Sequence, residues 1–104
     1  MARAKFQTLT EQMFYILLCL KEECYGMDIM EKVSARTCGR VSVGPGTLYN
    51  LLEQFVEAEM IRETKVEGRR RSYILTEKGQ VVLEREICRL RQQLEDYMES
   101  FGEV

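Results

Sequence analysis

Apolar positions recur first at helical spacing. Leu9, Met13, Ile16, Leu17 and Leu20 lie at i, i+4, i+7, i+8 and i+11, one face of a helix over residues 9–23. Thr8-Leu9-Thr10-Glu11 fits a capping box at its start, with the Thr8 hydroxyl and the Glu11 carboxylate each satisfying a free amide. Tyr25-Gly26 interrupts the pattern. Ile29, Met30 and Val33 resume it as a second helix of about three turns, which stops near Cys38-Gly39, where glycine takes the left-handed conformation. Residues 40–43 form a short extended link. Gly44-Pro45 then opens a third helix, because proline at the first helical position gives up only an amide that has no intrahelical partner. Leu48, Leu51, Leu52 and Phe55 are its buried stripe, which leaves Thr47, Asn50 and part of Tyr49 exposed on its first turns.

The pattern next changes to β-prone residues. Residues 61–66 and 72–75 flank Glu67-Gly68-Arg69-Arg70-Arg71 and predict a two-stranded hairpin with glycine at its turn. Thr76 is the expected N-cap of a final long helix, with Glu77 in the first turn where its charge suits the helix dipole. Along that helix Leu83, Ile87, Leu90, Leu94, Tyr97 and Phe101 are spaced 4, 3, 4, 3, 4, a heptad seam. The seam is narrow, flanked by Glu84, Arg85, Glu86, Arg89, Arg91, Glu95 and Glu99, and about 27 Å long. A narrow seam of that length calls for a partner helix, and a second copy of the chain is the economical one.

The 104 residues suit a single compact core. We divide the chain into a winged helix-turn-helix head, residues 1–76, and a C-terminal dimerisation helix, residues 77–104, a mainly α fold with a small β-hairpin. Fifteen Lys and Arg against seventeen Asp and Glu give a net charge of -2, so no global positive field drives the protein onto nucleic acid or a membrane. The charge is nevertheless segregated. Between Arg62 and Tyr73 five positive residues face two negative ones, a local +3 centred on Arg69, Arg70 and Arg71. No apolar run approaches a membrane span and the first ten residues lack the apolar stretch of a secretory signal, so a cytoplasmic protein without membrane contact is expected. With no His, no nucleotide-binding glycine loop and no recognisable carboxylate pair, neither an enzymatic reaction, a metal nor a cofactor is expected. Cys19, Cys24, Cys38 and Cys88 are separated by 5, 14 and 50 positions, which is not a chelating or redox pattern. Reduced structural thiols are expected, and a sensing role for Cys24, on a loop beside Glu22 and Glu23, is the lesser alternative.

A helix with a small, polar, exposed start followed by an arginine-tipped hairpin suits duplex DNA: the helix reads the major groove and the arginines neutralise phosphates or probe the minor groove. Asn50 carries an amide suited to adenine, Thr47 suits a phosphate or a thymine methyl, and Tyr49 can donate to a phosphate. Pro45, Lys65 and Tyr73 complete the expected contact set with Arg69, Arg70 and Arg71. The alternative is a protein-interaction module whose head has lost DNA binding.

The order and spacing of several short motifs resemble the PadR family of transcriptional regulators, specifically the short class with a single C-terminal helix. They are Leu9-Thr10, Ile16-Leu17-Leu18, Tyr25-Gly26-Met27-Asp28-Ile29, Gly46-Thr47-Leu48-Tyr49, Met60-Ile61, Gly68-Arg69-Arg70-Arg71 and Tyr73-Ile74-Leu75-Thr76-Glu77-Lys78-Gly79. The resemblance implies a winged helix-turn-helix homodimer that binds an inverted-repeat operator in double-stranded DNA, usually as a repressor, and that in some members is released by aromatic or cationic drugs or phenolic acids. Two positions depart from the pattern. Glu59 stands where the family commonly has glycine, so a different turn into the wing is expected. Tryptophan, which some drug-binding relatives use on the last helix, is absent. A small hydrophobic effector would instead be lined by Phe14, Tyr15, Tyr97 and Met98, with Phe101 beside them.

Overall fold

The computed structural model describes residues 6–102. Among these, α1 (Glu11–Cys19), β1 (Cys24–Tyr25), α2 (Gly26–Arg36), α3 (Pro45–Glu57), β2 (Ile61–Glu67), β3 (Arg70–Leu75) and α4 (Glu77–Phe101) follow one another. The strands form an antiparallel sheet in the order β1-β3-β2. This is a winged helix-turn-helix head with a long C-terminal helix.

α1 is shorter than its apolar spacing predicts. Its cap is Thr10 rather than Thr8: the Thr10 hydroxyl accepts from the Met13 amide at 3.1 Å. It ends at Cys19 because the chain must turn into β1, a two-residue strand where the sequence pattern predicts a loop. Two ties fix that corner, the Leu75 amide donating to the Leu20 carbonyl at 2.8 Å and Cys24 pairing with Tyr73. Cys24 is therefore buried strand. Burial pushes the thiols of Cys19 and Cys24 up, and Glu22 and Glu23 are not what raises them.

α2 and α3 follow their predicted stripes. Ile29 and Val33 meet Leu48, Leu51, Leu52 and Phe55 in one core with Ile16, Leu17, Leu20, Met60 and Ile61. The 40–43 link is pinned at both faces: Val41 and Val43 are buried, and the buried Thr37 hydroxyl accepts from the Val41 amide at 3.1 Å. After α3 the chain reverses through Glu59 at φ 62°, with the Glu59 amide donating to the Val56 carbonyl and the Met60 amide to the Phe55 carbonyl at 3.0 and 2.9 Å. These are the two bonds of a Schellman ending, so the glycine-type turn is kept although glycine is not. The Thr76 hydroxyl donates to the Glu59 carbonyl at 2.6 Å and accepts from the Gly79 amide at 3.1 Å, which joins this turn to the start of α4. A Cβ on Gly79 would lie 2.1 Å from the Met60 carbonyl oxygen, so α4 can approach the head only through glycine there.

α4 departs from the even seam in its sequence. Leu83 belongs to the head's own core and Ile87 is half-buried, whereas Leu90, Leu94 and Phe101 are 42%, 51% and 79% exposed and Tyr97 is likewise uncovered. Glu86, expected on a solvated flank, is only 4% exposed. Its carboxylate accepts from the Leu9 amide at 3.2 Å and from both the Nε and an Nη of Arg89. The Arg89 guanidinium holds the Glu86 carboxyl below its usual value, with the Leu9 amide adding to this against the opposing effect of burial.

Candidate nucleic-acid interface

Gly44 precedes Pro45 without a side-chain cap, and Pro45, Gly46, Thr47, Tyr49 and Asn50 are all exposed at the start of α3. Since Leu48, Leu51 and Leu52 anchor the other face of the helix in the core, these polar groups have one orientation rather than several.

The wing is more ordered than a flexible arginine tip. Only Gly68 and Arg69 lie between the strands, and Gly68 has φ 62°, the position glycine occupies in a type II′ hairpin turn. Arg70 and Arg71 belong to β3 and point to opposite faces. The Arg70 guanidinium lies 4.3 Å from the Tyr25 ring centroid, and the Tyr25 hydroxyl donates to Glu67 at 2.6 Å. Arg71 donates to Glu63 at 2.9 Å, so part of its charge is already compensated. Arg69 makes no ion pair among the described residues. Lys65 is exposed on β2, just past an irregularity at Thr64 where the hairpin register shifts.

Tyr49 and all three arginines line one cleft with Gly26, Met27 and Tyr73. The start of α3 and the wing thus share one face, and the predicted contact residues Pro45, Thr47, Tyr49, Asn50, Lys65, Arg69, Arg70 and Arg71 are all solvent-accessible. Tyr73 differs from them. At 7% exposure its ring packs under that face, against the α2 start, and cannot meet a ligand as an ordinary surface side chain does. Sequence reasoning missed the contribution of Gly26 and Met27, because the strand that brings the α2 start beside the wing is only two residues long.

The predicted effector lining does not assemble within one chain. Phe14 and Tyr15 share a groove with Glu86, Arg89 and Leu90, and Arg40 stacks over the Tyr15 ring at 5.7 Å. Tyr97 and Met98 sit about two turns farther along α4, roughly 10 Å from Leu90, and are not part of that groove. Among the described residues no cluster of His, Cys, Asp or Glu suits a metal ion, and no helix is long and apolar enough to cross a membrane.

Three helices, a β-hairpin wing and a protruding last helix define the winged-helix class. Within it, the model of the transcriptional regulator PadR-like family matches residues 16–85, and the chain belongs to that family of transcriptional regulators. It is similar to a PadR-like transcription factor from Bacteroides fragilis, at 30% identity and a TM-score of 0.68, over 86% of this chain and 87% of that one. It is also similar to a transcriptional regulator from Clostridium thermocellum, at 18% identity and a TM-score of 0.69 over 89% and 93% of the two chains. A PadR family regulator from Eggerthella lenta compares at 22% identity and a TM-score of 0.69 over 89% and 82%. No curated protein matches the chain in sequence.

Proposed function

We propose that the protein is a sequence-specific DNA-binding repressor that acts as a homodimer on an inverted-repeat operator, with residues 1–76 as the reading head and residues 77–104 as the dimerisation helix. The observation that carries this reading is the meeting of the exposed start of α3 and the arginine wing at one cleft, a polar probe and a cationic clamp on the same face. Leu90, Leu94, Tyr97 and Phe101 support the dimer: they are apolar, exposed and in seam register on the outer half of α4. Two copies paired through α4 would set two α3 helices into successive major grooves, with half-site centres about ten base pairs, or a multiple of that, apart.

Fluorescence polarisation against a labelled duplex from the gene's own upstream region tests this. Log affinity should fall linearly with log salt, and replacing Arg69, Arg70 and Arg71 with Ala should flatten the slope by about 0.9 for each phosphate that is no longer neutralised. Because Glu63 already engages Arg71, a flattening of about 2 per head rather than about 3 is expected, by the same per-phosphate increment, and so about twice that for the dimer. Asn50→Ala should cost about 1 to 3 kcal/mol on the operator and little on random DNA. Equal affinity for operator and random duplex, or a footprint without two-fold symmetry, would overturn the proposal.

A further inference from the structure

The cleft between the start of α2, α3 and the wing has a chemistry more specific than a basic surface. Tyr73 lies at its floor, nine-tenths buried, and its hydroxyl makes no hydrogen bond among the described residues. That hydroxyl is not sealed in either, since no fully buried side-chain oxygen or nitrogen lacks a partner among the described residues. It opens into the cleft. Burial, followed by the nearby Glu63 carboxylate, pushes its ionisation up, so it remains a proton donor at neutral pH. Beside it, α2 begins without any side-chain cap, and its first residues, Gly26 and Met27, line the same cleft. Unsatisfied amides of an 11-residue helix therefore stand next to an unused buried hydroxyl. Asp28, in the first turn of α2, provides no cap bond. Gly26 also keeps the space open. A Cβ there would lie 3.3 Å from the Tyr73 ring and 3.4 Å from the Tyr49 ring.

An unused hydroxyl donor, free helix amides and the arginine wing line one cleft, in which Arg70 is held over the Tyr25 ring and Glu63, bonded to Arg71, is the carboxylate beside Tyr73. This combination selects a compact anion with several acceptor oxygens. We propose that the cleft seats one phosphate group, held by the Tyr73 hydroxyl, the first amides of α2 and the guanidinium of Arg69, and that on the operator this group is a single backbone phosphodiester per half-site. The inference rests on the DNA-binding reading and adds to it a fixed point: a phosphate gripped in a cleft by neutral donors, which sets the register of α3 in the groove instead of adding to a diffuse attraction.

Two features of the proposal separate it from ordinary wing electrostatics. Tyr73 carries no charge, so Tyr73→Phe should lower affinity about tenfold on operator and random duplex alike while leaving the salt slope unchanged. In addition, the loss should belong to one phosphate. With a set of operators in which single phosphates are replaced by neutral methylphosphonates, the wild type should lose affinity at every contacted phosphate, and at one symmetric pair of positions alone the losses from the methylphosphonate and from Tyr73→Phe should fail to add. Gly26→Ala, which narrows the cleft by crowding the Tyr73 ring but removes no donor group, should show the same positional signature. Circular dichroism and thermal melts of each variant establish that the head is folded before binding is compared.

A wild type that binds no duplex would overturn the DNA-binding reading itself. A wild type that binds duplex normally, with no position at which Tyr73→Phe and the methylphosphonate fail to add, would overturn the phosphate seat and leave that reading intact. Inorganic phosphate titrated at constant ionic strength distinguishes the other source of the same chemistry. A thermal shift that requires Tyr73, without any methylphosphonate coupling, would assign the cleft to a free phosphate and overturn its role on the operator.

Discussion

The two halves of α4 carry the same 4-3 spacing of apolar residues and meet opposite surroundings. In the first half, Leu83 is buried against the head and Glu86 is drawn in to hold the Leu9 amide. In the second, the apolar seam residues Leu90, Leu94, Tyr97 and Phe101 are uncovered. Spacing alone reports which side of a helix is apolar. It does not say whose surface covers it. The changeover falls near Ile87, so the helix is both the last element of the head's core and, beyond that point, an apolar face that one chain leaves uncovered. Its rigidity links the two: any partner held on the outer half is placed at a fixed angle to the head, and so to α3.

The sharpest way to break this comparison is to charge the outer half alone. Replacing Leu90 and Leu94 with Asp leaves the head's core intact, yet it would place carboxylates in the proposed seam. We expect a loss of at least about 4 kcal/mol of association, roughly a thousandfold in the dimer dissociation constant. Sedimentation should show monomers. A double variant that sediments as a stable dimer would show that the partner lies elsewhere.

The inner half is broken at its first turn. In Gly79→Ala the added methyl meets backbone, the Met60 carbonyl, which has no rotamer by which to yield. The helix would have to lift from the turn that Thr76 and Glu59 tie together. A destabilisation of about 3 kcal/mol is expected, as for other strongly overpacked sites, read as a shift in urea midpoint. Unlike the charged outer half, this variant should lose head stability itself.

A smaller effect belongs to Glu86, the group that marks the inner half as head. Its folded pKa is depressed, chiefly by Arg89, from an unfolded value near 4.5. A depressed carboxyl adds stability that is fully present above the unfolded pKa and disappears as pH falls through the folded one. Glu86→Gln should therefore cost about 1.5 kcal/mol at pH near 7, the scale of a hydrogen bond to a charged group. The gap between variant and wild type should close on acidification below the unfolded value. Urea titrations at neutral and acid pH measure it; a gap that is unchanged by acid would exclude the carboxylate as its source.

Much of the head was legible because local signals and global packing agree there. Gly44-Pro45 starts α3, Leu48, Leu51, Leu52 and Phe55 are its buried face, and Thr76 caps α4. What stayed hidden depends on residues distant in sequence. β1 is two residues long and exists only because β3 pairs with it, so the α2 start could not be placed beside the wing from its own pattern. Arg70 and Arg71 have the sequence of a mobile tip, whereas Tyr25 and Glu63 hold them from other strands. Glu86 had the composition of a solvated flank and acquired a buried role from the free Leu9 amide, 77 positions away.

The finest test concerns Glu59, where the resemblance to the family led to an expectation of a different turn. The turn is unchanged in its hydrogen bonds, so the difference lies in strain: a non-glycine residue sits at φ 62°, where its Cβ crowds the backbone. The Glu59 side chain is exposed and enters no hydrogen bond or ion pair among the described residues, while the bond from Thr76 uses only its backbone carbonyl. Glycine can therefore replace it without breaking a side-chain interaction. Glu59→Gly should stabilise the head by about 1 kcal/mol, the relief of one left-handed side chain offset in part by the greater freedom of glycine in the unfolded chain. Glu59→Ala separates this from removal of a charge, because alanine keeps the Cβ and should bring no comparable gain. If alanine and glycine raised the thermal midpoint equally, charge rather than backbone geometry would be the cause. If neither raised it, the turn that joins α3 to the wing would carry no strain for α4 to hold in place.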